Sequence, residues 1–210
     1  MSHVARVAIV DSGIHAGHPH VGAVAGSVFI TEHVESEDAI DRLGHGTAVA
    51  GAVREKAPDA ELYAVKVFDT RLSTSIDVII RALAWCRRHQ MDIVNLSLGT
   101  SNPDHRTRFL EALGDDLLVI SAAQTLPGSL SGVIGVLPDP ECPRDAFYYR
   151  DGVFYASPYP RPIPGVPVTA NLNGASFAVA NMTGFAARSH IPGPPASTLQ
   201  TLIGQARLPV

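Results

Sequence analysis

At 210 residues, 46% hydrophobic and 17% charged, the chain has the length of one ordinary domain and enough apolar side chains for a substantial core, which excludes a disordered protein. A net charge of −4 without any basic run argues against nucleic acid as a partner. The first apolar run, Val4 to Val10, is broken by Arg6 and too short for a signal peptide or membrane span, so a cytoplasmic protein without a membrane partner is expected.

Val4 to Val10 reads as a short buried strand closed by Asp11-Ser12-Gly13. A carboxylate at the carboxyl end of a parallel strand points into the crevice where open α/β sheets bind ligands, although the same tripeptide suits a plain turn. His15, His18 and His20 follow in a loop, but no carboxylate or thiolate stands beside them, so no metal is expected. Ala23 to Thr31 offers a second apolar strand, and Glu32 to Asp41 a polar connection.

Next comes Gly44-His45-Gly46-Thr47-Ala48-Val49-Ala50-Gly51-Ala52-Val53, a helix of small residues opened by a histidine between glycines. The glycines leave room for a substrate and a nucleophile beside the ring, yet a lone histidine is more often structural. Pro58 separates this helix from a strand over Ala60 to Phe68. Ser73 or Ser75 caps a helix running to about Gln90, with Ile76, Ile79, Leu83 and Cys86 on its core face. Cys86 and Cys142 make neither a metal spacing nor a disulfide framework.

Met91 to Gly99 is another strand. Asn102 caps a helix that starts at Pro103 and reaches about Leu113. Asp116 to Ala123 is a buried strand leading into Gln124, with further strand pieces at Val133 to Leu137 and Val153 to Ala156. A proline-rich stretch, Pro158 to Pro167, is extended and irregular. Asn173 to Gly184 then reads as a tightly packed helix ending at Gly184, with Ser176 in its first turn. Unpaired N–H groups there favour negative charge, as the tetrahedral oxyanion of acyl transfer requires. Ser197 to Ala206 forms a last helix. The alternation of strand and helix from Val4 to Ile120 predicts an α/β fold: a doubly wound, mostly parallel sheet with helices on both faces. No linker or repeat divides residues 1–210, so one domain is expected.

Three separated segments resemble the subtilisin-like serine proteases, the subtilases, in that family's order of acid, histidine and serine. Val7-Ala8-Ile9-Val10-Asp11-Ser12-Gly13-Ile14 with His18-Pro19 is similar to the aspartate segment, Gly44 to Gly51 to the histidine segment, and Asn173-Gly174-Ala175-Ser176-Phe177-Ala178 to the serine segment. Leu62 to Val67 and Asp92 to Gly99 resemble family strands.

The resemblance implies that Ser176 is the nucleophile, His45 its base and Asp11 the orienting acid. It implies that Leu96, Ser97, Leu98, Gly99 and Thr100 pair with an extended peptide, and that Ala122 and Ala123 wall the opposite side. Gln124 falls where the family has an asparagine that donates to the oxyanion. Ala175 replaces a usual hydroxyl, and Ala180-Asn181 replaces a usual Pro-His, both read as packing changes. Pro58 follows His45 without the polar loop that holds calcium in many secreted relatives, so neither calcium nor any cofactor is expected. Asp11 lies so near the start that no pro-segment is expected either. The implied activity is that of a serine endopeptidase with a narrow peptide or protein substrate, such as a precursor peptide. Two alternatives remain: a degenerate subtilase that binds a peptide or a partner subunit, and a ligase or cyclase using the same acyl-enzyme. A homo-oligomer is also left open.

Overall fold

The computed structural model describes residues 3–207. Its centre is β1 (Arg6–Asp11), whose last five residues are all buried because helices cover the sheet on both sides. β1 pairs in parallel with β4 (Glu61–Lys66) on one side and β5 (Ile93–Leu96) on the other. Outward from β4 lie β2 (Gly26–Ile30) and β3 (Glu35–Ser36); outward from β5 lie β6 (Leu118–Ala122), β7 (Val133–Pro138), β9 (Val153–Ala156) and β8 (Phe147–Arg150). Among the described strands the two edge pairings, β2 with β3 and β8 with β9, are antiparallel and the others parallel. The carboxyl ends of the parallel strands therefore share one rim, with Asp11 at its middle.

Side-chain alternation along β1 divides the core. Val7 and Ile9 face α1 (His45–Lys56), α4 (Ala175–Arg188) and α5 (Pro195–Gln205), whereas Ala8 and Val10 face α2 (Ile76–Arg88) and α3 (Arg106–Leu113). This is the doubly wound α/β arrangement expected. Ser75 is the cap of α2, accepting from Val78 N at 3.4 Å. Asn102 caps a single 3-10 turn, Pro103–His105, that leads into α3. No helix among the described residues is long and apolar enough to cross a membrane.

Several boundaries differ from expectation. The polar stretch after β2 contains β3, and β5 stops at Leu96, leaving Ser97 to Gly99 extended beyond the ladder. α4 does not end at Gly184 but runs on to Arg188. A Cβ on Gly184 would lie 2.9 Å from Lys56 Cβ and 3.1 Å from the Val53 carbonyl oxygen, so that glycine permits the close approach of α4 to α1. β8 was not expected; it forms a hairpin with β9 through Asp151 and Gly152, both at positive φ, the two-residue turn suited to right-handed strand twist. Cys86 and Cys142 are both buried free thiols, and burial raises the Cys142 pKa to about 11.

Candidate active site

The carboxyl end of β1 meets the first turn of α1. Asp11, 0% exposed, accepts from Ser12 N at 2.8 Å through Oδ1, which also lies 2.7 Å from His45 Nδ1. A carboxylate only accepts, so Nδ1 carries the shared proton and Nε2 is left as the basic nitrogen. Gly46 makes the approach possible. A Cβ there would stand 2.2 Å from the Gly13 carbonyl oxygen.

A residue with no assigned role holds this junction. Asp41 Oδ1 accepts from Ser12 Oγ at 2.8 Å, Leu43 N at 3.0 Å and Gly44 N at 2.8 Å. Its Oδ2 accepts from Thr47 N at 2.8 Å and Thr47 Oγ1 at 2.6 Å. Ser12 Oγ in turn accepts from Gly46 N at 3.0 Å. Gly44, the residue before α1, has no side chain to cap the helix, and Asp41 and Ser12 supply acceptors in its place. Burial pushes the Asp41 carboxyl up, but its hydrogen bonds from Thr47, Ser12 and Leu43 outweigh that and hold it below the ordinary carboxylate value. Burial likewise pulls His45 down. The Asp11 hydrogen bond and the charges of Asp11 and Asp41 overcome it, so the imidazolium is favoured. The buried Lys66 fixes the same loop, donating to the Ile40 carbonyl oxygen at 2.8 Å.

The serine lies at the start of α4. Ser176 Oγ donates to the Ser97 carbonyl oxygen at 3.3 Å, and Ser97 Oγ donates back to the Ser176 carbonyl oxygen at 3.1 Å. Behind them Asn95 Nδ2 donates to Ser97 Oγ at 2.9 Å, and Thr183 Oγ1 to Asn95 Oδ1 at 3.0 Å. This chain of bonds moors the first turn of α4 to the end of β5. Among the described residues no hydrogen bond joins Ser176 to His45, although both line one cleft and Phe177 lies 5.6 Å from the His45 ring, centroid to centroid. Gly174 leaves the helix start uncapped, and the Ala175 and Ser176 N–H groups have no acceptor among the described residues. Asn181, expected only to pack, also donates to the Ser157 and Tyr159 carbonyl oxygens at 2.8 and 3.0 Å and ties α4 to the proline-rich stretch.

The cleft holds about 370 Å³ between Leu72–Thr74 and Ser97–Thr100, over a floor of Phe68, Ile76 and Ile79. Four of the residues expected to meet a peptide, Ser97, Leu98, Gly99 and Thr100, line it. Leu96 is fully buried in the core instead. Ala122, the last residue of β6, and Ala123, in the turn after it, do not line the cleft, and the segment that follows them bridges in antiparallel fashion from Leu126 to Thr100. Gln124 is exposed on the turn that follows, and its side chain makes no hydrogen bond among the described residues. His18 lies edge-on to both His15 and His20, and its Nδ1 accepts from His20 N at 3.2 Å. Asp41 and Asn95 went unremarked from sequence; the one signal was a polar Asn inside the otherwise apolar Ile93-Val94-Asn95-Leu96.

Residues 3–134 match the model of the Subtilase family, peptidase S8. Subtilisin E of Bacillus subtilis is 34% identical over 129 residues, covering 56% of this chain and 33% of that protein. The thermostable alkaline protease of Halalkalibacterium halodurans is 30% identical over 209 residues, covering 87% of this chain and 56% of that protein. Among solved structures, a lanthipeptide protease superposes with a TM-score of 0.70 at 18% identity, over 93% of this chain and 78% of the other. A cold-adapted subtilisin-like serine proteinase gives 0.73 at 18% identity, over 95% and 81%. The chain belongs to the Subtilase family. It spans between a third and just over half the length of these two sequence relatives, and the family match includes Asp11 and His45 but stops before Ser176.

Proposed function

We propose that this chain is a serine endopeptidase. Ser176 Oγ attacks the carbonyl carbon of a peptide bond while His45 Nε2 takes its proton, and Asp11 holds the ring and stabilises the imidazolium. The oxyanion is received by the open N–H groups at the start of α4 and by the Gln124 amide, which must turn inward from its exposed turn. His45 then protonates the departing amine as the C–N bond breaks. Water, deprotonated by the same ring, hydrolyses the acyl-enzyme and restores Ser176.

The observation that carries this reading is the 2.7 Å contact from Asp11 to His45, beside one cleft that His45 and Ser176 both line. The apolar floor of Phe68, Ile76 and Ile79 suits an apolar side chain on the acyl side of the scissile bond. A precursor peptide is our proposal for the substrate class, a fold-level analogy with the lanthipeptide protease.

Two observations favour a second reading, a peptide-binding member of the family that does not cut: Ser176 Oγ is engaged by Ser97, and Gln124 faces solvent. Incubation with a peptide library, followed by mass spectrometry of new termini, separates the two. New termini formed by the wild type and absent from Ser176→Ala support the peptidase. Peptides retained uncut by both proteins support the binding module and overturn the peptidase.

A further inference from the structure

On the rim opposite the cleft, where the parallel strands begin, three side chains from distant parts of the chain converge. His3 precedes β1, Asp92 precedes β5, and His190 follows α4. His3 Nε2 lies 2.8 Å from Asp92 Oδ2, and His190 Nε2 lies 3.4 Å from Asp92 Oδ1. One donor atom from each falls within 4.8 Å of the other two. Asp92 has a fixed orientation, because its Oδ2 also accepts from Arg6 N at 2.7 Å while its own N–H donates to the Arg6 carbonyl oxygen at 2.9 Å.

The decisive feature is His190. Its side chain is 8% exposed, and its Nε2 is buried without a hydrogen-bond partner among the described residues. A buried polar atom left unpaired calls for an explanation. Its other nitrogen, Nδ1, lies 3.4 Å from Thr198 Oγ1, a hydroxyl that also accepts from Ile191 N at 3.1 Å. That partner suits a ring protonated at Nδ1, which aims the Nε2 lone pair at Asp92 and His3, the outer support metal-binding histidines usually have.

We propose that His3, Asp92 and His190 bind one divalent transition-metal ion of the zinc class. Two imidazole nitrogens and one carboxylate form a borderline donor set suited to zinc, whereas calcium takes six to eight oxygens. Tetrahedral zinc, with bonds of about 2.0–2.1 Å, separates its ligand atoms by about 3.3 Å. His190 Nε2 already stands at about that spacing from Asp92 Oδ1, whereas His3 Nε2 faces the other oxygen, Oδ2, so His3 must shift towards Oδ1 for one ion to be held by both rings and a single carboxylate oxygen. A cavity of about 200 Å³ lined by Met91, Asp92, Leu118, His190, Pro195 and Thr198 adjoins the cluster and has room for a water as fourth ligand. Arg87 also lines that cavity, but its charge is paired with Asp116 at 3.1 Å. The ion clasps the segments before β1 and β5 to the connection between α4 and α5. It takes no part in the cleft chemistry, and it departs from the sequence-based expectation of no metal.

The test strips the full chain with EDTA and titrates Zn²⁺ by calorimetry and by competition with a chromogenic chelator. One ion per chain is expected, with Tm raised by roughly 5–10 °C at 100 times Kd. Thr198→Val should weaken binding about 10–100-fold, and His190→Ala by more than that. Because His190 is buried, His3→Ala serves as the variant that keeps the fold: His3 is 39% exposed, and its loss should weaken binding as strongly with an unchanged circular dichroism spectrum. Absence of saturable binding overturns the site. So does binding that survives both histidine variants, or that is lost instead when His15, His18 and His20 are replaced together. No readout depends on peptidase activity.

Discussion

The two helices that meet over the cleft begin in opposite ways. The first turn of α1 is largely closed: Asp41 and Ser12 accept from Gly44, Gly46 and Thr47, and His45, the proposed base, rides on that turn. The first turn of α4 is open, for Gly174 offers no cap and no side chain among the described residues replaces it. A closed turn fixes a ring within hydrogen-bond reach of its partner. An open one keeps backbone donors free for a charge that exists only during reaction. On the proposed function, the contrast is that of a preformed acid–base pair beside a nucleophile and an oxyanion site still to be engaged.

Removing the hydroxyl is the severest way to break this picture. Ser176→Ala should lower kcat on a cleaved peptide by about 10⁶, because triad members act as a unit. Asp11→Asn should cost about 10⁴, by releasing the Nδ1–H tautomer, with KM nearly unchanged. Gln124→Ala sharpens the open side. A loss of about 10² to 10³ in kcat is expected if the amide swings in, and a loss below about tenfold would assign the oxyanion to the α4 N–H groups alone.

Asp41→Asn probes the closed side. His45 must be neutral to act as base, and its raised pKa places the acid limb of kcat/KM above 6.5, with activity lost as pH falls through that limb. Removing the Asp41 charge should move the limb to lower pH. For stability the sign is that of a depressed carboxyl: the Asp41 contribution is full above its ordinary 3.8 and is lost as pH falls through the lower folded value, so the variant should lose less stability on acidification than the wild type. The smallest effect concerns the packing of the two helices. Gly184→Ala should cost about 1–3 kcal/mol in urea unfolding, with the m-value unchanged.

Much of this was legible along the chain, because strands buried on both faces read as apolar runs and the residues at their ends, such as Asp11, are chemically conspicuous. What escaped was set by contacts between remote segments. Asp41 sits in a polar stretch that looks merely solvated, and only the fold brings Ser12 and Thr47 to it. Gly184 resembles a helix stop until α1 lies against it. The β8–β9 hairpin does carry a local signal, Asp151-Gly152 between two aromatic-containing runs. His3, Asp92 and His190 have no spacing that could announce them.

The most direct measurement is the rate of fluorophosphonate adduct formation on Ser176 as a function of pH, in the wild type and in His45→Ala. An activated nucleophile predicts an adduct on Ser176, formed faster as pH rises through the His45 pKa, and a rate that collapses in the variant. No adduct on the wild type at any pH, or one whose rate ignores both pH and His45, would contradict the claim that Asp11 and His45 activate Ser176.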